Sequence, residues 1–330
     1  MITRRRTLIA LGLGAVLPSA YAGPPPGKVL HIGWLEGFRE KFDPDSVPVH
    51  RALVESLRDQ GYVLGRDFTL EYRSAQGHPE RLPGLAAEFV RLKVDMLLTT
   101  SDGTTRAARA ATKTMPIIAI GVSDPVATGI AGSLARPGGN VTGLAINAAE
   151  ISAKRVQLLK EAVPNLSRVA VLWNSTFKAM EFQFQQVETA APILGVTVLS
   201  LRVSSSDDFD KAFAAISQSR VSGLIVLFGP MRGNDLPRVV EFVSRNRIPT
   251  IFELGQGVRG GGLMEFGPDL ARLAHHAGRY VDKIANGAKA ADLPIEEPTT
   301  FELVINLKAA QAMGLSIPAS LRTRADRLVE

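Results

Sequence analysis

The sequence predicts an α/β chain of two similar doubly wound parallel-sheet lobes, on three observations. Short apolar runs rich in Val, Ile and Leu alternate with helical patterns almost from end to end. The runs lack strict polar alternation, as expected of parallel strands buried on both faces. The rhythm occurs twice, and 330 residues exceed the ~250 at which one core tends to divide.

Residues 1–22 stand outside the fold. Arg4, Arg5 and Arg6 form a basic start, 8–17 is an apolar stretch, and Ala20-Tyr21-Ala22 places small residues at −3 and −1, with Gly23 as the first mature residue. The apolar stretch is about half the ~20 residues of a membrane-spanning helix, so the segment reads as a cleavable signal peptide. Thr3-Arg4-Arg5-Arg6-Thr7-Leu8 also resembles a twin-arginine signal, with Thr7 where Phe is usual. Both the Sec and the Tat export routes fit.

In the first half the expected strands are 29–35, 68–72, 95–99, 117–120 and 141–145, with helices at 49–60, 80–92 and 104–112. The second half repeats the plan. Its strands are 169–173, 196–201, 223–228, 250–252 and 262–266; its helices are 152–163, 179–194, 208–220 and 236–247. Ser204, Ser205, Ser206 and Asp207 are expected to cap the third of these helices, and Pro192 to bend or shorten the second. An amphipathic helix follows at 269–286, stopped by Asn286-Gly287, and the tail reads as a strand and a short helix.

There is no cysteine, which excludes disulfides, thiolate zinc sites, a Cys nucleophile and a lipoprotein anchor. The three arginines are the leader's only charged side chains, so its removal takes the formal charge from +6 to +3. No Lys/Arg run survives, so nothing supports a nucleic-acid partner. Gly255-Gln256-Gly257-Val258-Arg259-Gly260 matches G-x-G-x-x-G but leads into more glycine and a strand instead of a helix, so it reads as a tight turn. Phosphate-loop and nucleophile-elbow motifs are absent, and His31, His50, His78, His275 and His276 lack zinc-ligand spacing. The sequence implies no cofactor, no metal and no catalytic residue.

Ligands of open α/β sheets bind beyond the carboxyl ends of the strands, where helix N-termini offer N–H groups. The loops after the expected strands therefore supply the candidates. They are Trp34, Glu36, Thr100, Ser101, Asp102, Ser123 and Asp124 in the first half, with Asn147, Asn174, Phe228, Glu253 and Phe266 in the second. Ser175, Met231 and Glu265 stand beside them. Such a set suits a small zwitterion with an apolar side chain. Thr100 and Ser101 serve equally as helix caps, Asp124 as a turn former and Trp34 as core, and both roles stay open here. A carboxylate directly after a buried strand, such as Glu253, needs a partner or a solvated cleft.

Wording along the mature chain carries a resemblance. The segments are RLPGLAAEFVRLKVDMLL (81–98), TKTMPIIAIGVSDPVATG (112–129), SLARPGGNVTGL (133–144), KRVQLLKEAVPNLSRVAVLWN (154–174), GGLMEFGPDL (261–270) and YVDKIANGAKAADLPIEEPTTFELVINLKAA (280–310). In this order and spacing the chain resembles the ABC-transporter substrate-binding proteins of the tryptophan/tyrosine type, which share the type I periplasmic-binding-protein fold. The resemblance implies two lobes joined by a hinge that the chain crosses three times: 23–144 with 268–295, and 145–267 with 296–330. It implies a periplasmic, monomeric, non-enzymatic protein that captures a small carboxylate-bearing solute, such as an aromatic amino acid, for an ABC permease in the inner membrane. Presentation of the solute to a membrane receptor, or an enzyme on the same scaffold, are the alternatives. One departure stands out. Where the family has a Gly-Thr-Pro-type turn, this chain has Ser101-Asp102-Gly103, and Asp102 is expected to repel an anion unless it turns away.

Overall fold

Apolar runs of four to seven residues become strands here because helices cover both of their faces. The computed structural model describes residues 23–25, 27–146, 148–227, 235–253, 256–298 and 300–330. The first lobe begins β1 (Leu30–Glu36), α1 (Pro48–Asp59), β2 (Phe68–Ser74), α2 (Leu82–Leu92), β3 (Met96–Thr99), α3 (Asp102–Ala111), β4 (Ile117–Val122) and β5 (Val141–Ala145). The second follows with α4 (Ala148–Ala162), β6 (Arg168–Asn174), α5 (Lys178–Ile193), β7 (Thr197–Val203), α6 (Asp208–Gln218), β8 (Gly223–Val226), α7 (Asp235–Arg245), β9 (Thr250–Phe252), α8 (Gln256–Arg259) and β10 (Met264–Pro268). The chain then forms α9 (Leu270–Ala285), β11 (Ile295–Glu296), β12 (Phe301–Asn306), α10 (Leu307–Ala312), α11 (Ala319–Arg324) and β13 (Arg327–Val329).

Two sheets result. The first runs β11-β5-β4-β3-β1-β2 and is parallel throughout. The second runs β13-β12-β10-β9-β8-β6-β7, parallel except where β10 meets β12. Leaving out the strands added late in the chain, each sheet has the order 2-1-3-4-5. Each therefore has a point where strand order reverses and a crevice opens at the carboxyl ends: between β1 and β3, and between β6 and β8. The α9 helix returns to the first sheet: Leu273, Ala274, Ala277, Tyr280 and Val281 form an apolar stripe in one core with α1. β11 continues that sheet to Glu296, and β12 and β13 join the second.

Several local expectations change. The cap before α6 works in reverse: Asp208 accepts from Ser204 N–H at 2.9 Å and Oγ at 2.8 Å, and from Ser205 N–H at 3.1 Å. Those bonds hold its carboxyl down at about 2. Pro192 is the penultimate residue of α5, which ends at Ile193. The glycine-rich stretch after β9 holds one turn of helix, Gln256–Arg259, instead of a simple tight turn. His275 and His276 lie on different contacts, with Asp59 at 3.3 Å and Glu296 at 3.3 Å respectively. Among the described residues no helix is long and apolar enough to cross a membrane. The leader, residues 1–22, lies outside them.

Candidate functional site

The carboxyl ends of β1, β3 and β4 meet at the reversal point of the first sheet, and their loops build one wall of a cavity. Glu36 closes β1. Its Oε1 accepts the N–H groups of Gly37 at 2.9 Å and Phe38 at 3.2 Å, and the Thr100 hydroxyl at 3.2 Å. Arg39 Nη1 stands 3.5 Å from Oε2. With these donors a carboxylate that is 1% exposed is fully accounted for.

The next loop is a capping box. Ser101 Oγ accepts the Thr104 N–H at 3.3 Å, and Thr104 Oγ1 accepts the Ser101 N–H at 3.0 Å, which starts α3 at Asp102. Asp102 is the first helical residue. Its carboxylate accepts the Ser123 N–H at 3.3 Å, bridging the β3 and β4 loops, and burial pushes its carboxyl pKa up. It thus neither caps the helix nor turns away.

The cavity between these loops and the second lobe has a volume of about 170 Å³. Glu36, Thr100, Ser101, Asp102 and Ser123 line it on one side, and Glu253, Phe177 and Met180 on the other. Leu82, Ile146 and Leu270 make its floor apolar, and Arg39 and Arg106 add two guanidiniums. A largely apolar cavity with a few converging polar groups is the usual form of a small-molecule site.

Six residues expected from sequence thus come together: Glu36, Thr100, Ser101, Asp102, Ser123 and Glu253. Four described ones do not. Trp34 is wholly buried two residues before the end of β1, in an aromatic cluster with Phe42 at 5.8 Å, His50 at 4.9 Å and Tyr72 at 6.4 Å between ring centres. Its residue type fits a ligand stack, but its position in the strand puts it under α1. Burial and the nearby Arg39 hold His50 down at about 4, so the cluster keeps it neutral. Asp124 shapes a turn, its Oδ1 accepting Val126 N–H at 3.1 Å and Ala127 N–H at 2.9 Å. Asn174 Oδ1 accepts the Thr176 N–H at 2.9 Å and lines a smaller neighbouring groove. Phe266 packs against Phe301 at 5.9 Å, away from the cavity. Asn147, Phe228 and Met231 lie outside the described residues.

Sequence reading missed Arg39, Arg106, Phe177, Met180 and, behind the wall, Arg155. The signals are partial. Arg106 lies four residues after Asp102, on the same face of α3. Phe177 shares its loop with Asn174. Arg155 falls on the buried stripe of α4 with Ile151, Ser152, Val156 and Leu159, where a charge has to find a partner. Glu265 on β10 is also buried; desolvation, with Glu302 nearby, pushes it up to about 7.

Residues 45–329 match the sequence profile of a family described as ABC transporter substrate binding protein. A "Tyrosine-binding protein" of Clostridioides difficile is 27% identical over 272 residues, 80% of this chain and 76% of that protein. A solved "conserved domain protein" from Vibrio cholerae superposes with a TM-score of 0.82 at 25% identity, over 91% of this chain and 100% of its own. An ABC domain in complex with L-Trp from Streptococcus pneumonia superposes with a TM-score of 0.83 at 23% identity, over 92% and 100%. These likenesses establish the type I periplasmic-binding-protein fold.

Proposed function

We propose, for a chain that belongs to the ABC transporter substrate-binding protein family, that it captures a small carboxylate-bearing solute with an aromatic or otherwise apolar body in the cavity between its lobes. The observation that carries this reading is the pairing of the two walls. Ser101, Asp102 and Gly103 at the start of α3 line the cavity together with Phe177, Met180 and Glu253 and with the apolar Leu82, Ile146 and Leu270. A carboxylate belongs at Ser101, where the Arg106 guanidinium lines the same cavity and burial disfavours negative charge on the neighbouring Asp102. An aromatic ring belongs against Phe177 and Met180. The names of the tyrosine-binding and tryptophan-bound relatives support the same class of solute.

Because each lobe supplies part of the site, a solute that touches both favours the arrangement in which they are close. The protein then hands the unchanged solute to a permease of the inner membrane. It acts as a monomer in the periplasm, exported through residues 1–22, and performs no chemistry on the cargo. A thermal-shift screen of residues 23–330 against amino acids, aromatic acids and other small carboxylates tests this. A solute at ~100 times its dissociation constant adds about 2.7 kcal/mol of stability. A saturable shift from one chemical class, with the solute recovered unchanged, is the expected result. Turnover of the solute, or no shift from any compound after refolding to strip carried-over ligand, contradicts it.

A further inference from the structure

Helix α9 begins with Leu270 in the cavity lining and runs 16 residues away from it. Near its far end Asp282, 9% exposed, faces the turn that follows α1. Asp282 Oδ1 accepts the Tyr62 hydroxyl at 2.9 Å and Asn286 Nδ2 at 3.0 Å. Both donors are neutral. Among the described residues no Lys, Arg or His forms an ion pair with this carboxylate. A buried carboxylate without a cation is costly.

The same two donors hold the start of the chain. The Tyr62 hydroxyl stands 3.2 Å from the Gly23 carbonyl oxygen, and Asn286 Nδ2 stands 3.1 Å from it and 3.0 Å from the Asp282 carbonyl. Five contacts thus share three hydrogens, one on the phenol and two on the amide. Burial and Asp282 push the Tyr62 pKa up, so the hydroxyl remains a donor. A Cβ at Gly23 would lie 3.7 Å from the Gln60 carbonyl oxygen, so the C-terminal end of α1 borders the site too. Helix C-termini present unpaired carbonyls and partial negative charge. The site is rich in acceptors and short of donors and of positive charge. Gly23 is also the residue that follows the small-residue cleavage signal Ala20-Tyr21-Ala22.

We infer that this is a docking site for the chain's own new amino terminus, with Asp282 as the receiver of its α-ammonium. Hydrolysis of the Ala22–Gly23 bond leaves a carboxylate on Ala22 and an α-ammonium on Gly23. The ammonium nitrogen is three bonds from the carbonyl oxygen already held there, and it brings three N–H groups and one positive charge, which the site lacks. Asp67, another carboxylate whose charge bears on Tyr62, is already paired with Arg66 at 2.7 Å. The contact spans 263 positions of sequence, and it fastens to α1 the helix that the chain adds after its passage through the second lobe. Removal of the leader thus completes the first lobe. The inference rests on the reading that export removes residues 1–22, and no part of the cavity enters it.

Melting of two proteins, one made to begin at Gly23 and one at Ala22, tests it, since one extra residue carries the ammonium about 3.8 Å along the chain. The Gly23 protein is expected to melt about 2 °C or more above the Ala22 protein. With Asp282→Asn in both, the difference is expected to fall below about 1 °C, which a merely structural Asp282 would not cause. The α-amine of Gly23, followed by NMR through its labelled Cα, is expected to lose its proton above about pH 9 instead of the ordinary ~7.7–8.0. That titration carries the test if Asp282→Asn does not fold. Equal melting of the two native-sequence proteins, a difference that survives Asp282→Asn, or an α-amine that titrates in its ordinary range overturns the inference and leaves the solute-binding reading standing. Amino-terminal sequencing of the protein recovered from the periplasm tests the removal of the leader separately. A start at Gly23 is expected, and a start elsewhere overturns that reading and the inference together.

Discussion

On the first-lobe wall, Glu36 and Asp102 are held by N–H groups of the loops at the sheet's edge. Glu36 takes those of the two residues that follow it, and Asp102 that of Ser123. On the second-lobe wall, Glu253 faces a buried guanidinium from a helix distant in sequence. A backbone donor is present whenever the loop is folded, so the first wall distributes its stabilisation over many small contacts. A buried ion pair concentrates it, because removing one partner leaves the other charged and desolvated. The two walls of one cavity should therefore respond differently to single substitutions.

The largest expected effect lies on the concentrated side. Arg155→Met leaves Glu253 without its cation and the Phe266 carbonyl without its donor, and should cost about 3–5 kcal/mol in denaturant unfolding. A loss below about 1 kcal/mol would mean that the pair is not what holds this wall.

Glu265 tests the cost of burying charge in the same lobe. A carboxyl raised from its ordinary 4.5 to about 7 resists ionising when folded, mainly through burial and then through Glu302, with Arg327, Arg259 and Arg155 pulling the other way. The unfolded chain releases that proton first as pH rises, so stability falls from about 4.5 and the loss is complete above about 7. Glu265→Gln should match the native protein near pH 4 and exceed it by up to about 3 kcal/mol at pH 8. Equal stability at both pH values would show that Glu265 ionises normally.

Two glycines extend the comparison to the backbone. A Cβ at Gly267 would sit 2.0 Å from the Glu253 carbonyl oxygen, so Gly267→Ala forces β10 away from β9 and should cost about 1–3 kcal/mol. Gly121, in β4 of the first lobe, has a φ of +82°, and a Cβ there would meet Ile146 at 3.5 Å and Leu270 at 3.7 Å, ordinary contact distances, so Gly121→Ala should cost only the backbone strain of about 1–2 kcal/mol. Melting scans of the two variants give the order directly. Smallest of all, Ser101→Ala removes one arm of the capping box and should cost about 0.5–1 kcal/mol, measured without solute.

The doubly wound lobes were legible in the sequence because Val, Ile and Leu fill both faces of the strands, and strand ends follow from where those runs stop. Glu36, Thr100, Ser101, Ser123 and Glu253 were expected near one another for the same reason, and the structure sets each at or just beyond a strand end, in the lining of one cavity. The burial of Trp34 could not be read, since residue type gives no account of how deep in the strand a side chain sits. Asp102 was recognised as unusual, but its bond to the Ser123 N–H joins two loops that only the parallel β3–β4 pairing brings together. Arg155 lay in view on an apolar helix stripe, yet its partner Glu253 follows β9, far along the chain, and no local pattern connects them. Polar contacts within one loop were thus readable, and those between elements distant in sequence were not, on either wall.

The most direct test of the central claim, that one solute bridges both walls, is a crystal structure of the protein grown with L-tyrosine or L-tryptophan, whichever binds. The expected result is an amino acid enclosed in the cavity, its carboxylate at Ser101 and its other end against Glu253 and Phe177. A saturably bound amino acid that touches only one lobe, or sits outside this cavity, would contradict the account.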